Sequence, residues 1–105
     1  MLILFDQGTP VPLRNALVGH TVRTAYEQGW STLTNGDLLR AAEAEGFEAF
    51  VTTDKQFRFQ QAVGGRKLAI VVLPTTRWPV IRTQVASILD AVSRLSPGAL
   101  VELTW

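Results

Sequence analysis

Short apolar runs and amphipathic stretches take turns along this chain. Residues 2–5, Leu-Ile-Leu-Phe, are continuously apolar and stop at Asp6, which predicts a short buried strand. Residues 21–24, Thr-Val-Arg-Thr, are β-branched enough for a second, and residues 47–52 give a third. Residues 68–73 are apolar throughout, as in a strand covered on both faces of a sheet. Residues 99–105 set Leu100, Glu102 and Thr104 against Val101, Leu103 and Trp105, the alternation of a final strand at an edge.

Helical signals fill the gaps. Thr9 suits an N-cap, Pro10 the first helical position and Gly19 a left-handed end. Thr34 or Asn35 caps a helix over 37–45 that turns Leu38, Leu39, Ala41 and Ala42 inward and closes at Gly46. A short helix runs from Lys55 to about residue 63 and breaks at Gly64-Gly65. Pro79 opens a long helix whose apolar face is Ile81, Val85, Ile88, Leu89, Val92 and Leu95, and Ser96-Pro97-Gly98 stops it. This alternation predicts one domain over 1–105, a three-layer α/β/α sandwich on a mainly parallel sheet of about five strands.

Composition narrows the chemistry. The chain has 105 residues, no Cys and one His. Disulfide scaffolds, thiolate zinc sites, iron–sulfur clusters and cysteine nucleophiles are excluded. Catalysis must run on carboxylates, hydroxyls and Arg or Lys. No apolar run approaches the roughly 20 residues of a membrane span, so a cytoplasmic protein is expected. A charged share of 18% and a mean hydropathy of +0.16 suggest apolar surface covered by a partner or a second copy, as in a homodimer.

Charge is unevenly spread. Residues 1–54 hold three Arg against seven acids, whereas residues 55–89 hold Lys55, Arg58, Arg66, Lys67, Arg77 and Arg82 with no acid. An acidic half followed by a basic stretch suits a cation site beside a polyanion-binding surface, or a set of solvated charges on several faces. Ligands of parallel α/β sheets bind beyond the carboxyl ends of the strands. Asp6 follows the first strand, Asp54 the third, and Asp37 opens the helix after the second. Three carboxylates on one rim repel each other unless a divalent cation neutralises them or one stays protonated. Oxygen-only ligands favour Mg²⁺ or Mn²⁺, which can activate water for phosphodiester hydrolysis without His or Cys. Each acid has a local alternative: Asp37 in a first helical turn, Asp54 as an N-cap, Asp6 in a turn. Thr53 is placed to orient a carboxylate or to end a strand.

In their order, Phe5-Asp6-Gln7, Gly19-His20-Thr21-Val22, Asn35-Gly36-Asp37-Leu38-Leu39 and Val51-Thr52-Thr53-Asp54 resemble the small PIN-like proteins of the Mut7-C/DUF5615 type. The resemblance covers about residues 1–75 and extends more loosely beyond them. It implies a PIN-like sandwich, a metal-dependent ribonuclease acting on RNA, and Asp6, Asp37 and Asp54 as its catalytic and metal-binding acids. It also implies a toxin paired with a small DNA-binding antitoxin. Many relatives have Asp-x-Asp-Phe after the third strand, where this chain has Asp54-Lys55-Gln56-Phe57. Gln56 thus offers an amide oxygen in place of a fourth carboxylate. The expected arrangement is one Mg²⁺ or Mn²⁺ on Asp6 and Asp54, Asp37 in the second ligand sphere or positioning water as a base, Thr53 and Gln56 in support, and Lys55, Arg58 and Arg66 on phosphates. Two rivals are a catalytically inactive PIN-like module that binds RNA or protein, and a receiver-like phosphoacceptor, for which Thr75 fits but a second acid beside Asp6 and a Lys after the last strand are missing.

Overall fold

Five strands form one parallel sheet in the order β2-β1-β3-β4-β5. They are β1 (Leu2–Phe5), β2 (Thr21–Thr24), β3 (Ala49–Thr52), β4 (Ala69–Val72) and β5 (Leu100–Glu102). The computed structural model describes residues 1–62 and 66–105, with residues 59–62 as backbone only. The predicted helix break at Gly64-Gly65 lies outside the described residues. Strand β5 is shorter than the sequence pattern suggests, since the ladder to β4 ends at Glu102.

Strand alternation divides the core into two layers. Ile3, Phe5, Ala49, Val51, Val71 and Leu73 face one side. Leu4, Phe50, Ile70 and Val72 face the other. The first side is covered by a 3-10 helix (Val11–Ala16) and by the helical segment after β4. The second is covered by helix α1 (Asn35–Ala44) and a second 3-10 helix (Lys55–Ala62), through Leu38, Leu39, Ala42 and Phe57. The result is the three-layer α/β/α sandwich that the alternation implies.

The helices depart from the sequence expectation in three places. The segment after β1 winds as a 3-10 helix with Pro10 in the cap position, because the hydroxyl of Thr9 is engaged elsewhere. The long helix expected from Pro79 is broken into α2 (Trp78–Ile81), a 3-10 turn (Arg82–Gln84) and α3 (Val85–Ser93). The apolar stripe survives the break, with Ile81, Ile88 and Val92 all fully buried. Helix α1 begins at Asn35, with Thr34 as N-cap but without a side-chain capping bond.

One topological feature bears on the site. Crossovers β1–β2, β2–β3 and β3–β4 place their helices on the faces that a single hand requires. The β4–β5 connection moves in the same direction as β3–β4 yet lies on the opposite face, with α3 packed by the first 3-10 helix. It therefore has the opposite hand from the other three, against the strong uniformity of parallel units. Its consequence is that, among the described residues, the second 3-10 helix is the helix that overlies the carboxyl ends of β4 and β5 on its side. Among the described residues no helix is long and apolar enough to cross a membrane.

Candidate active site

In a sheet of order 2-1-3-4-5 the chain reverses direction between β1 and β3, and the crevice at their carboxyl ends is where ligands of such folds sit. Asp6 and Asp54 leave those two strands and line one cavity of about 290 Å³. Thr53, Asn35, Trp30 and Leu33 complete much of its wall, and its lining contains no Lys or Arg.

Asp6 is held from both sides. Thr9 donates its hydroxyl to Oδ1 at 2.7 Å, and the Thr52 hydroxyl donates to Oδ2. The same Thr52 oxygen accepts the Asp54 backbone N–H at 3.0 Å, so one hydroxyl ties the two acidic turns together. Burial pushes the Asp6 carboxyl above its ordinary pKa; the two threonine bonds oppose that rise, and the Asp54 charge adds to it. Gly8 packs against this turn so closely that an added Cβ would lie 2.6 Å from Thr53 Oγ1. Thr53 is therefore wedged beside Asp6 by a residue without a side chain.

Asp54 does two things. Its Oδ1 accepts the Gln56 N–H at 2.9 Å, capping the second 3-10 helix. Gln56 contributes that backbone N–H, and it does not line the cavity. The capping alternative for Asp54 is thus realised without removing it from the crevice.

Asp37 does not line the cavity. Its exposed carboxylate pairs with Arg40 one helical turn away and accepts the Thr34 hydroxyl, and these contacts hold its pKa below the ordinary value. The convergence of three acids is therefore corrected to two: among the described residues no three His, Asp or Glu side chains are grouped as a metal site. Asn35, two residues earlier in the same helix, lines the cavity where Asp37 was expected. The Asn-Gly-Asp order on a helix start could have pointed to it, since the first turn faces the crevice and Asp37 lies half a turn further round.

The basic stretch does not stay together. Lys55 and Arg58 line a neighbouring cleft at the carboxyl ends of β4 and β5, with Arg58 3.8 Å from Glu102. Arg66 precedes β4, whose amino end lies at the other side of the sheet, so it is corrected from the phosphate set of this site. The Nε and Nη1 of Arg66 are buried without a hydrogen-bond partner among the described residues. Position relative to strand direction, rather than sequence proximity, separates these bases.

The two acids fit a hard cation. The two oxygens of Asp6 offer about four lone pairs and accept the Thr9 and Thr52 hydroxyls and the Thr9 N–H, which leaves one for a cation. Asp54 supplies the opposing carboxylate, and Asn35 and Thr53 offer neutral oxygens. Two carboxylates with neutral oxygens and room for water are a donor set for Mg²⁺ or Mn²⁺. No family model, curated protein or solved structure matches the chain.

Proposed function

We propose that this chain is a divalent-cation-dependent ribonuclease of PIN-like type, cutting RNA phosphodiester bonds with Asp6 and Asp54 at the β1/β3 crevice. The observation that carries it is the pairing of two carboxylates in one cavity whose lining holds no positive side chain. Such a cavity favours a cation and repels a free phosphate. Mg²⁺ or Mn²⁺ bound there would supply an activated water and stabilise charge on a phosphodiester oxygen. Thr9 and Thr52 fix the Asp6 carboxylate in place before substrate arrives. Asp54 is fixed through its bond to the Gln56 N–H, and Asn35 is positioned to hold a polar group of the substrate or its water. A cytoplasmic toxin restrained by a small DNA-binding antitoxin is the biological setting we propose for this activity.

A receiver-type phosphoacceptor shares the strand order and an acid after β3. Two features count against it: Gln7 stands where a second acid would be, and the β4–β5 helix lies on the other face.

The test is cleavage of a fluorescent single-stranded RNA with Mn²⁺ or Mg²⁺ by the wild type, Asp6→Asn and Asp54→Asn. The proposal expects cleavage by the wild type alone and its loss in EDTA. Equal activity in all three proteins removes the hydrolase. Binding without cleavage leaves the inactive RNA-binding module, and labelling of Asp54 by acetyl phosphate points to the receiver.

A further inference from the structure

We propose that the cleft beside the acidic cavity is a nucleoside subsite, in which a base of single-stranded RNA stacks on Trp105 and its phosphate pairs with Lys55. The proposal rests on the ribonuclease reading and states how the strand is gripped next to the cut. The cleft encloses about 270 Å³ between the second 3-10 helix and the carboxyl ends of β4 and β5, with Lys55, Arg58, Glu102, Thr104 and Trp105 on its walls.

Three observations converge there. First, Asp54 lines one cavity and Lys55, the next residue, lines the other. The two cavities therefore adjoin at residues 54–55. Second, of these two cavities the cleft is the one whose charges complement a nucleic acid. The acidic cavity has two acids and no base in its lining, whereas the cleft has two bases against one acid. Arg58 faces Glu102 at 3.8 Å, and among the described residues Lys55 has no ion pair. Third, Trp105 is 36% exposed while lining the cleft. An accessible indole next to a lysine is the combination that holds single strands, because every base has a π-face and every nucleotide a phosphate. The reversed hand of the β4–β5 crossover leaves this wall without a second helix, which is why the cleft is open.

The experiment measures anisotropy of a labelled single-stranded oligoribonucleotide titrated with the full chain in EDTA, where no metal-dependent cleavage occurs. Trp105→Ala is expected to weaken binding by about 5- to 150-fold, the range for losing one base–aromatic stack. Trp105→Phe should keep most of the affinity. Lys55→Ala should lower the slope of log K against log salt by about 0.7, one phosphate contact on a single strand. Wild-type affinity in Trp105→Ala, no binding by the wild type, or equal binding of an oligoglutamate peptide each overturns the proposal. Loss of cleavage in the metal assay leaves these binding results standing, so failure of the subsite and failure of the hydrolase are separately visible.

Discussion

Acidic side chains crowd both ends of the sheet, and they serve different ends. At the amino end, Glu43 Oε1 accepts the N–H groups of Lys67 at 2.6 Å and Leu68 at 3.0 Å, and Glu48 Oε1 accepts that of Leu2 at 3.0 Å. These carboxylates satisfy backbone donors where strands β4 and β1 begin. At the carboxyl end, Asp6 is held by hydroxyls that can rotate, and it sits in a cavity opposite a second acid. The larger cavity, about 550 Å³, lies at the amino end, where both acids are engaged with backbone. Volume and charge therefore do not identify the site. What each carboxylate faces does: Glu43 and Glu48 are engaged with the amides that start β4 and β1, whereas Asp54 keeps its bond to the Gln56 N–H and still shares a cavity with a second carboxylate, Asp6, held largely by hydroxyls.

The contrast breaks most visibly in activity. Asp54→Asn and Asp6→Asn should each lower metal-dependent RNA cleavage by more than the roughly 10–100-fold that loss of an outer-sphere partner costs. Glu43→Gln and Glu48→Gln should leave the rate of the folded fraction unchanged. Equal losses at the two ends would show that the acids differ only in position.

Stability should move in opposite directions. Glu43→Ala leaves the part-buried Leu68 N–H without its acceptor and should cost about 1–3 kcal/mol in chemical denaturation. Asp6→Asn should raise the melting temperature at neutral pH, because it removes a buried charge. Thr9 can turn its hydroxyl to Val51 O, 2.9 Å away, and accept from the new amide. The same carboxyl sets a pH dependence. Its folded pKa lies above the unfolded value, so between the two the folded chain binds more proton. This carboxyl's contribution to stability is then greatest below the unfolded value and is lost as pH rises through the folded one. Glu27 and Asp37, held below their ordinary values, act in the opposite sense, so a urea series across acidic pH should show the loss as a fall of wild-type stability relative to Asp6→Asn.

The smallest effect belongs to Asp37. Its exposed pair with Arg40 is of the kind that contributes little, so Asp37→Asn should change neither the melting temperature nor, beyond about twofold, the cleavage rate. A large loss of cleavage would return Asp37 to the site.

Much of the fold was legible in one dimension. Strand positions followed from apolar runs such as Leu-Ile-Leu-Phe, and two-sided burial followed from the unbroken run over β4, because side-chain direction alternates along a strand whatever surrounds it. Asp6 and Asp54 were legible for the same reason: a residue that directly follows a parallel strand is delivered to the carboxyl rim. Asp37 was not, because a helix start fixes only the rim, and 100° of rotation per residue decides whether Asn35 or Asp37 meets the crevice. Thr9 reads as a cap in sequence and became the clamp on Asp6, since its hydroxyl had a carboxylate and a carbonyl from a strand 42 residues away within reach. The basic stretch left open one surface or several faces and is divided between the two ends of the sheet, because a strand carries what stands before it and what stands after it to opposite ends. The sequence alone determined that five strands alternate with helical segments and which acids follow a strand, though not where β5 stops. Strand order, the hand of the last crossover and the partner of each carboxylate were decided only in three dimensions, where contacts between distant segments outweigh local preference.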